Sequence, residues 1–190
     1  MAADQLFTAL MFATLITYMK CNIHFNLSFD ESPDITKFYA KNATIWTLQT
    51  TISTNITCKV DLVNQTTVNK TDFERRYYWN ATTERNFLEG LFTKMSLFNN
   101  KSNFDGMLVG PKGGMISSQE QLRYVDDSGK CGLFSIILHA TVSWYELRAW
   151  NTTVENITGK CLEFATKVGP RGQNWTSLYN STCQNILKIK

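Results

Sequence analysis

From Thr44 onward the chain alternates between two faces. Thr44, Trp46, Leu48 and Thr50 fall on one and Ile45 and Thr47 on the other, the period-two pattern of a strand. Runs rich in Val, Ile, Thr, Phe, Tyr and Trp follow at Cys58–Val63, Phe73–Trp79, Phe87–Phe98, Phe104–Val109, Gln121–Val125, Leu133–His139 and Ser143–Trp150. Polar turn clusters separate them, among them Asn99-Asn-Lys-Ser, Gly110-Pro-Lys-Gly-Gly and Asp126-Asp-Ser-Gly. About eight successive strands at this spacing predict an antiparallel sandwich or an up-and-down barrel.

Helical spacing flanks the strands on both sides. Ser32-Pro33-Asp34 reads as a helix start: Ser caps, Pro sits where a missing N–H does no harm, and Asp faces the positive helix end. Ile35, Phe38 and Tyr39 then recur at helical spacing, in a short helix expected to end near Lys41. Beyond Val154, Ile157, Cys161, Leu162, Phe164, Ala165 and Val168 recur at three and four residues, and Gly169-Pro170 ends the run. This predicts a helix of about twelve residues after the last long strand. A short helix, eight strands, a helix and a tail fit a barrel better than an immunoglobulin-type sandwich.

The N-terminus changes the picture from fold to compartment. Leu6 to Met19 is apolar and uncharged, the length of a signal-peptide core and short for a membrane span. Asp4 precedes it with no Lys or Arg, and no Ala-Xaa-Ala site follows; cleavage after Cys21 gives a signal peptide at 1–21 and one domain at 22–190. No other apolar run approaches twenty residues, so no membrane span is expected in the mature chain. Eleven of the sixteen asparagines open Asn-Xaa-Ser/Thr acceptor sites: Asn26, Asn42, Asn55, Asn64, Asn69, Asn80, Asn100, Asn151, Asn156, Asn174 and Asn180. Chance would give about three, and a glycan needs exposed backbone, so the chain reads as a secreted, extracellular glycoprotein. A net charge of +3 is too mild to argue for nucleic acid.

If Cys21 leaves with the signal, Cys58, Cys131, Cys161 and Cys183 remain. Four cysteines in a secreted chain read as two disulfides with three possible connectivities. There is no Cys-Xaa-Xaa-Cys pair and only His24 and His139 could add nitrogen ligands, so no metal site is expected.

No enzyme and no cofactor are expected. The chain has no Gly-Xaa-Ser-Xaa-Gly elbow, no His-Glu-Xaa-Xaa-His and no P-loop, and Gly110-Pro-Lys-Gly-Gly114 reads as a hairpin turn. His139, at the end of an apolar strand, reads as a structural histidine. Ser143-Trp-Tyr-Glu-Leu-Arg-Ala-Trp150 is more informative. On a strand, Trp144, Glu146, Arg148 and Trp150 share one face and Tyr145, Leu147 and Ala149 the other. Two readings stand: a solvated exterior pair, or Glu146 and Arg148 pointing into a cavity and neutralising each other.

Cys131-Gly-Leu-Phe, Tyr145-Glu-Leu, Cys161-Leu-Glu-Phe and Ser177-Leu-Tyr-Asn-Ser-Thr-Cys183 resemble the C-terminal half of the tick salivary lipocalins, the histamine-binding protein family. The order and spacing of the four cysteines are similar too, and Asp34-Ile-Thr-Lys37 resembles the family's opening Asp-Ala-Trp-Lys helix. The resemblance implies a mainly β fold, an eight-stranded antiparallel lipocalin-type barrel with a short N-terminal helix and a C-terminal helix. It also implies disulfides Cys58–Cys183 and Cys131–Cys161 and a ligand cavity.

The candidate ligand residues are Trp144, Glu146, Arg148 and Trp46. Histamine binders hold a cationic amine with acids and tryptophans, and Glu146 matches one acid. Thr51-Ile-Ser-Thr-Asn55 replaces the Asp and Trp expected before Cys58, Arg148 replaces a Trp, and Gly110-Pro-Lys-Gly-Gly-Met replaces an aromatic cluster. A cation beside Glu146 would also face Arg148. The sequons and the depleted acids are more similar to the glycosylated, japanin-type branch, which binds sterols or lipids and alters host immune cells. The expected function is therefore a monomeric secreted lipocalin that binds a small, mostly apolar ligand and modulates the host immune response, with the host immune-cell surface as a further partner. The alternatives are sequestration of histamine or another biogenic amine, and a protein-interaction module that works through its surface.

Overall fold

The structure, a computed structural model, describes residues 33–96, 103–154, 162, 163, 165 and 174–189. The expected signal peptide, Ser32, Asn26, Asn100, Asn156 and Cys161 lie outside these residues.

Eight strands run antiparallel, each beside the next in sequence: β1 Thr44–Thr50, β2 Ile56–Thr66, β3 Lys70–Trp79, β4 Thr82–Thr93, β5 Gly106–Pro111, β6 Ser118–Val125, β7 Cys131–Leu138 and β8 Val142–Trp150. β1 pairs with both β2 and β8, which closes the sheet into an up-and-down barrel. A two-residue β9, Thr176–Ser177, adds to β1 from outside. Each alternating run of the sequence contributes one strand. Asn80 and Ala81, at φ 46° and 67°, make the tight β3–β4 turn, whose left-handed backbone matches strand twist.

One turn of helix, α1 Ile35–Phe38, closes the end of the barrel opposite that turn. Its cap is Asp34, whose Oδ1 accepts from the Thr36 amide at 3.0 Å. The helix ends short of Lys41 because Tyr39 leaves helical geometry and turns its ring inward. Ile35, Phe38 and Tyr39 pack with Phe73, Met107, Leu122 and Phe134 in the interior core. At Gly132 a Cβ would stand 2.7 Å from Leu122 Cδ1 and 3.1 Å from Phe38 Cε2, so the plug needs a glycine there.

A second core covers the outside of β1, β2, β7 and β8. Trp46, Leu48, Val60, Leu133, Leu147 and Ala149 pack there with Ala165 and Ile186 of the C-terminal segment. Leu162, Glu163 and Ala165 are helical, as the spacing predicts, while the rest of that expected helix lies outside the described residues. Where the sequence suggests only a tail, Ser181–Lys188 forms a 3-10 helix capped by Asn180, whose Oδ1 accepts from the Thr182 amide at 2.9 Å. The guanidinium of Arg76 donates to the Ile189 carbonyl at 2.7 Å and to that of Ile186 at 3.2 Å, holding the helix's C-terminal carbonyls.

The tail is tied down by Cys58–Cys183, with S–S 2.04 Å and Cα–Cα 4.9 Å. A β-bulge puts Cys58 in position: pairing with β3 slips between Thr57 and Val60, Cys58 takes φ 54°, and its amide donates to the Leu178 carbonyl at 2.7 Å. Cys131 is also disulfide-bonded.

Candidate ligand-binding site

The register of β8 decides between the two readings of Trp144, Glu146 and Arg148. Leu147 and Ala149 pack in the outer core, so the alternate positions face inward, and Glu146 and Arg148 are 2% and 0% exposed. Arg148 donates to Glu146 Oε2 through Nε at 2.9 Å and Nη2 at 2.6 Å. Trp144 Nε1 donates to Glu146 Oε1 at 2.9 Å.

Four further charged residues meet this pair inside the barrel. Lys59 on β2 donates to Glu146 Oε1 at 2.6 Å. Arg148 reaches on to Glu120 of β6 and to Tyr39 Oη at 2.6 Å. Arg75 on β3 bridges Glu120, at 2.9 Å, and Asp61 of β2, at 2.7 Å. Asp61 also accepts from Tyr39 Oη at 2.8 Å. Three cations and three carboxylates thus form one continuous ionic layer across the interior. Arg148 and Arg75 also lie over the Phe134 and Phe73 rings, at 4.5 and 5.3 Å.

Such a layer is tolerable only because each charge has a partner, since an unpaired buried ion is strongly destabilising. Burial pushes the Glu120 carboxyl up, but Arg148 and Arg75 outweigh it and bring it down to about 2. For Glu146 burial is likewise outweighed, here by Lys59 and Arg148, and the carboxyl stays well below the usual range. Lys59 goes the other way: burial lowers its ammonium below the ordinary value, and Glu146 offsets this only in part. Tyr39 is raised by burial and remains a phenol.

The layer divides the barrel. On the α1 side the space is packed with Phe38, Tyr39, Phe73, Met107 and Phe134. On the other side Val109 and Ile136 are still buried, Trp144 packs half-buried against that core, and solvent is met at the rim, where Val142 is 45% exposed. The mouth is therefore rimmed by the β1–β2, β3–β4, β5–β6 and β7–β8 connections, and Lys59, Glu146 and Trp144 are the parts of the layer nearest to it.

Trp46 stands elsewhere. It is on the outer face of β1, where its Nε1 donates to Asn151 Oδ1 at 2.8 Å and its ring lies 5.1 Å from that of Tyr179. The alternation that turns Ile45 and Thr47 inward turns Trp46 out, under the C-terminal tail, so it is a packing residue of the outer core. Trp150, on the inner face, donates to the Phe38 carbonyl at 3.0 Å and helps seat α1. His139 is an exposed turn residue at φ 46° and not part of a strand.

Sequence reasoning missed Lys59, Asp61, Arg75, Glu120 and Tyr39. A signal existed in β2: Lys59 and Asp61 alternate with Val60 and Leu62, the same charged-inside, apolar-outside pattern that marks β8. Arg75 lies in a Glu-Arg-Arg run and Glu120 in Gln-Glu-Gln, where nothing local tells an inward charge from a solvated one. Among the acceptor asparagines, Asn42, Asn55, Asn64, Asn69, Asn80, Asn174 and Asn180 are exposed. Asn151 is half-buried, and its Oδ1 accepts from Trp46 and, at 2.7 Å, from Gln184. Among the described residues no cluster of His, Cys, Asp or Glu has the makings of a metal site. No described helix is long and apolar enough to cross a membrane.

No family profile and no curated protein matches the sequence. Solved structures do match. AM182 in complex with serotonin superposes with a TM-score of 0.59 at 17% identity, over 80% of this chain and 94% of that one. Japanin from Rhipicephalus appendiculatus, bound to cholesterol, gives 0.55 at 12% identity, over 77% of this chain and 98% of that one. At such identities the likeness is one of fold, and it spans nearly the whole of both neighbours. This chain has the fold of the lipocalin japanin: a closed eight-stranded antiparallel barrel plugged at one end by a short helix.

Proposed function

We propose that the chain is a secreted, tick-type salivary lipocalin whose barrel encloses a small, mostly apolar ligand, a sterol or lipid, and that it acts on the host immune response. The observation that carries this reading is the ionic layer. Three carboxylates are matched by three cations, so no net negative charge awaits a cationic amine. A ligand entering from the mouth meets a polar floor beneath the inner strand faces, an arrangement suited to one polar end and an apolar body. The cholesterol bound to japanin supports this class of ligand, and the sequence resemblance to tick salivary lipocalins supports the setting. The role is binding, with no part for catalysis.

The serotonin complex of AM182 keeps amine sequestration as the second reading. Native mass spectrometry of protein purified from eukaryotic secretions, with extraction of whatever co-purifies, separates the two. A retained sterol or fatty acyl species is expected. An empty barrel that takes up serotonin or histamine and refuses sterols would overturn the proposal.

A further inference from the structure

The mouth-side edge of the ionic layer is unequal in what it still has to offer a ligand. A carboxylate accepts about four hydrogen bonds. Glu146 already accepts four: Lys59 and Trp144 on Oε1, and two from Arg148 on Oε2. Lys59 is the opposite case. An ammonium has three N–H donors, and among the described residues Lys59 makes one hydrogen bond, to Glu146. Its side chain is 9% exposed, on the inner face of β2 two positions nearer the mouth than Asp61. Acceptor capacity at this edge is therefore taken, while donor capacity remains.

Resting on the lipid-binding reading above, we propose that Lys59 is the specificity-determining residue of the barrel, and that it selects a ligand whose buried end is an uncharged oxygen acceptor, a hydroxyl or carbonyl. An ammonium end has only donors to give and finds Glu146 saturated and Lys59 and Arg148 repulsive. A carboxylate would leave the layer one negative charge in excess in a site with little water. A neutral oxygen takes one of Lys59's open N–H groups and leaves the three-to-three balance intact. Burial already draws the Lys59 ammonium below its ordinary pKa, so an acceptor there also helps to hold the charge.

The test compares ligands that differ by one oxygen. Cholesterol and 5α-cholestane are presented from cyclodextrin to the wild-type protein and to Lys59→Met, with tryptamine as competitor. Wild type should bind cholesterol about tenfold or more tighter than cholestane, the weight of one hydrogen bond to a charged donor. Lys59→Met should bring the two sterols within about twofold of each other, whatever it does to their common affinity. If neither sterol binds wild type, the lipid reading itself fails. If both bind alike, that reading stands and the assignment to Lys59 is overturned, whether or not the variant folds. Tryptamine, which has the ammonium and no oxygen, displacing cholesterol from wild type at equal concentration would overturn the acceptor rule.

Discussion

Glu146 and Arg148 stand two positions apart on one strand, and Arg148 grips a single oxygen of Glu146 with two nitrogens, Nε at 2.9 Å and Nη2 at 2.6 Å. Because the remaining nitrogen reaches Glu120 and Tyr39, this neighbouring pair is also the bridge between the mouth side and the plugged side of the barrel.

Arg148→Ala should lower stability by about 3–5 kcal/mol in urea denaturation, the range for removing one partner of a buried ion pair. Glu146 keeps Lys59 and Trp144, and Glu120 keeps Arg75, so no carboxylate is wholly stripped, but the layer gains one net negative charge and Glu146 Oε2 is freed. Histamine binding should be undetectable by calorimetry in wild type and become measurable in the variant. A wild type that binds histamine tightly would show that Arg148 does not block amines.

Acid should dismantle the layer in a defined window. The Glu120 pKa falls from 4.5 to about 2 on folding, so its stabilising effect is complete above pH 4.5 and is lost as pH falls through about 2. The contribution is about 3 kcal/mol, and Glu146 shifts in the same direction and adds to it. Near-UV circular dichroism should therefore stay constant from pH 8 to about 4.5 and decline as pH falls from there through about 2. A transition centred near pH 6 would contradict this, since neither carboxylate titrates there.

The Cys58–Cys183 bridge spans 125 residues. In the chain-entropy model a loop of that size contributes about 4–5 kcal/mol. Replacing both cysteines by serine should lower the melting temperature and release the 3-10 helix Ser181–Lys188 to proteolysis, while the barrel strands stay protected. Non-reducing peptide mapping should return the Cys58–Cys183 peptide; a Cys58–Cys131 or Cys58–Cys161 peptide would contradict the assignment.

Asn55 and Asn180 each lie three residues before one half of that bridge. If the chain is secreted as proposed, closing the bridge is expected to compete with glycan transfer; in the folded chain the Asn180 carboxamide is engaged as a helix cap. Site-by-site glycopeptide analysis should find these two positions less occupied than Asn64 or Asn69 in the β2–β3 region. Full occupancy at both would remove the competition.

The eight strands were legible because each carries its own alternation between polar turns, which is local information. On β8 the alternation leaves two readings of Glu146 and Arg148, solvated or inward, and the choice between them depends on the cover that the C-terminal segment gives Leu147 and Ala149. Trp46 shows the limit. Its face on β1 could be read from the sequence, but β1 is buried on both sides, and nothing local tells the interior from the outer core. The charges of Lys59, Asp61, Arg75 and Glu120 were equally opaque, because a buried ion is recognised by its partners, and these come from four strands, β2, β3, β6 and β8. The helix ends before Lys41 for a related reason: Tyr39, its C-cap, is held inside the barrel by Asp61 and Arg148, not by its own neighbours.

The placement of the layer also sets a depth. Val142 at the rim and Glu146 at the floor are four residues apart on β8, about 13 Å along the strand and about 10 Å along the barrel axis once strand tilt is allowed for. Any guest whose polar end rests on Lys59 is measured against that length, and a longer one leaves its far end standing among the rim residues. There Val142 is 45% exposed, Ile116 50% and Met115 89%. The β5–β6 loop is held beside the β7–β8 turn by the His139 amide, which donates to the Ser117 carbonyl at 2.9 Å. On the proposed lipid-binding reading the barrel would act as a gauge with a fixed floor and a greasy lip, in which guest length, beside head-group chemistry, would decide how much of the lip is dry.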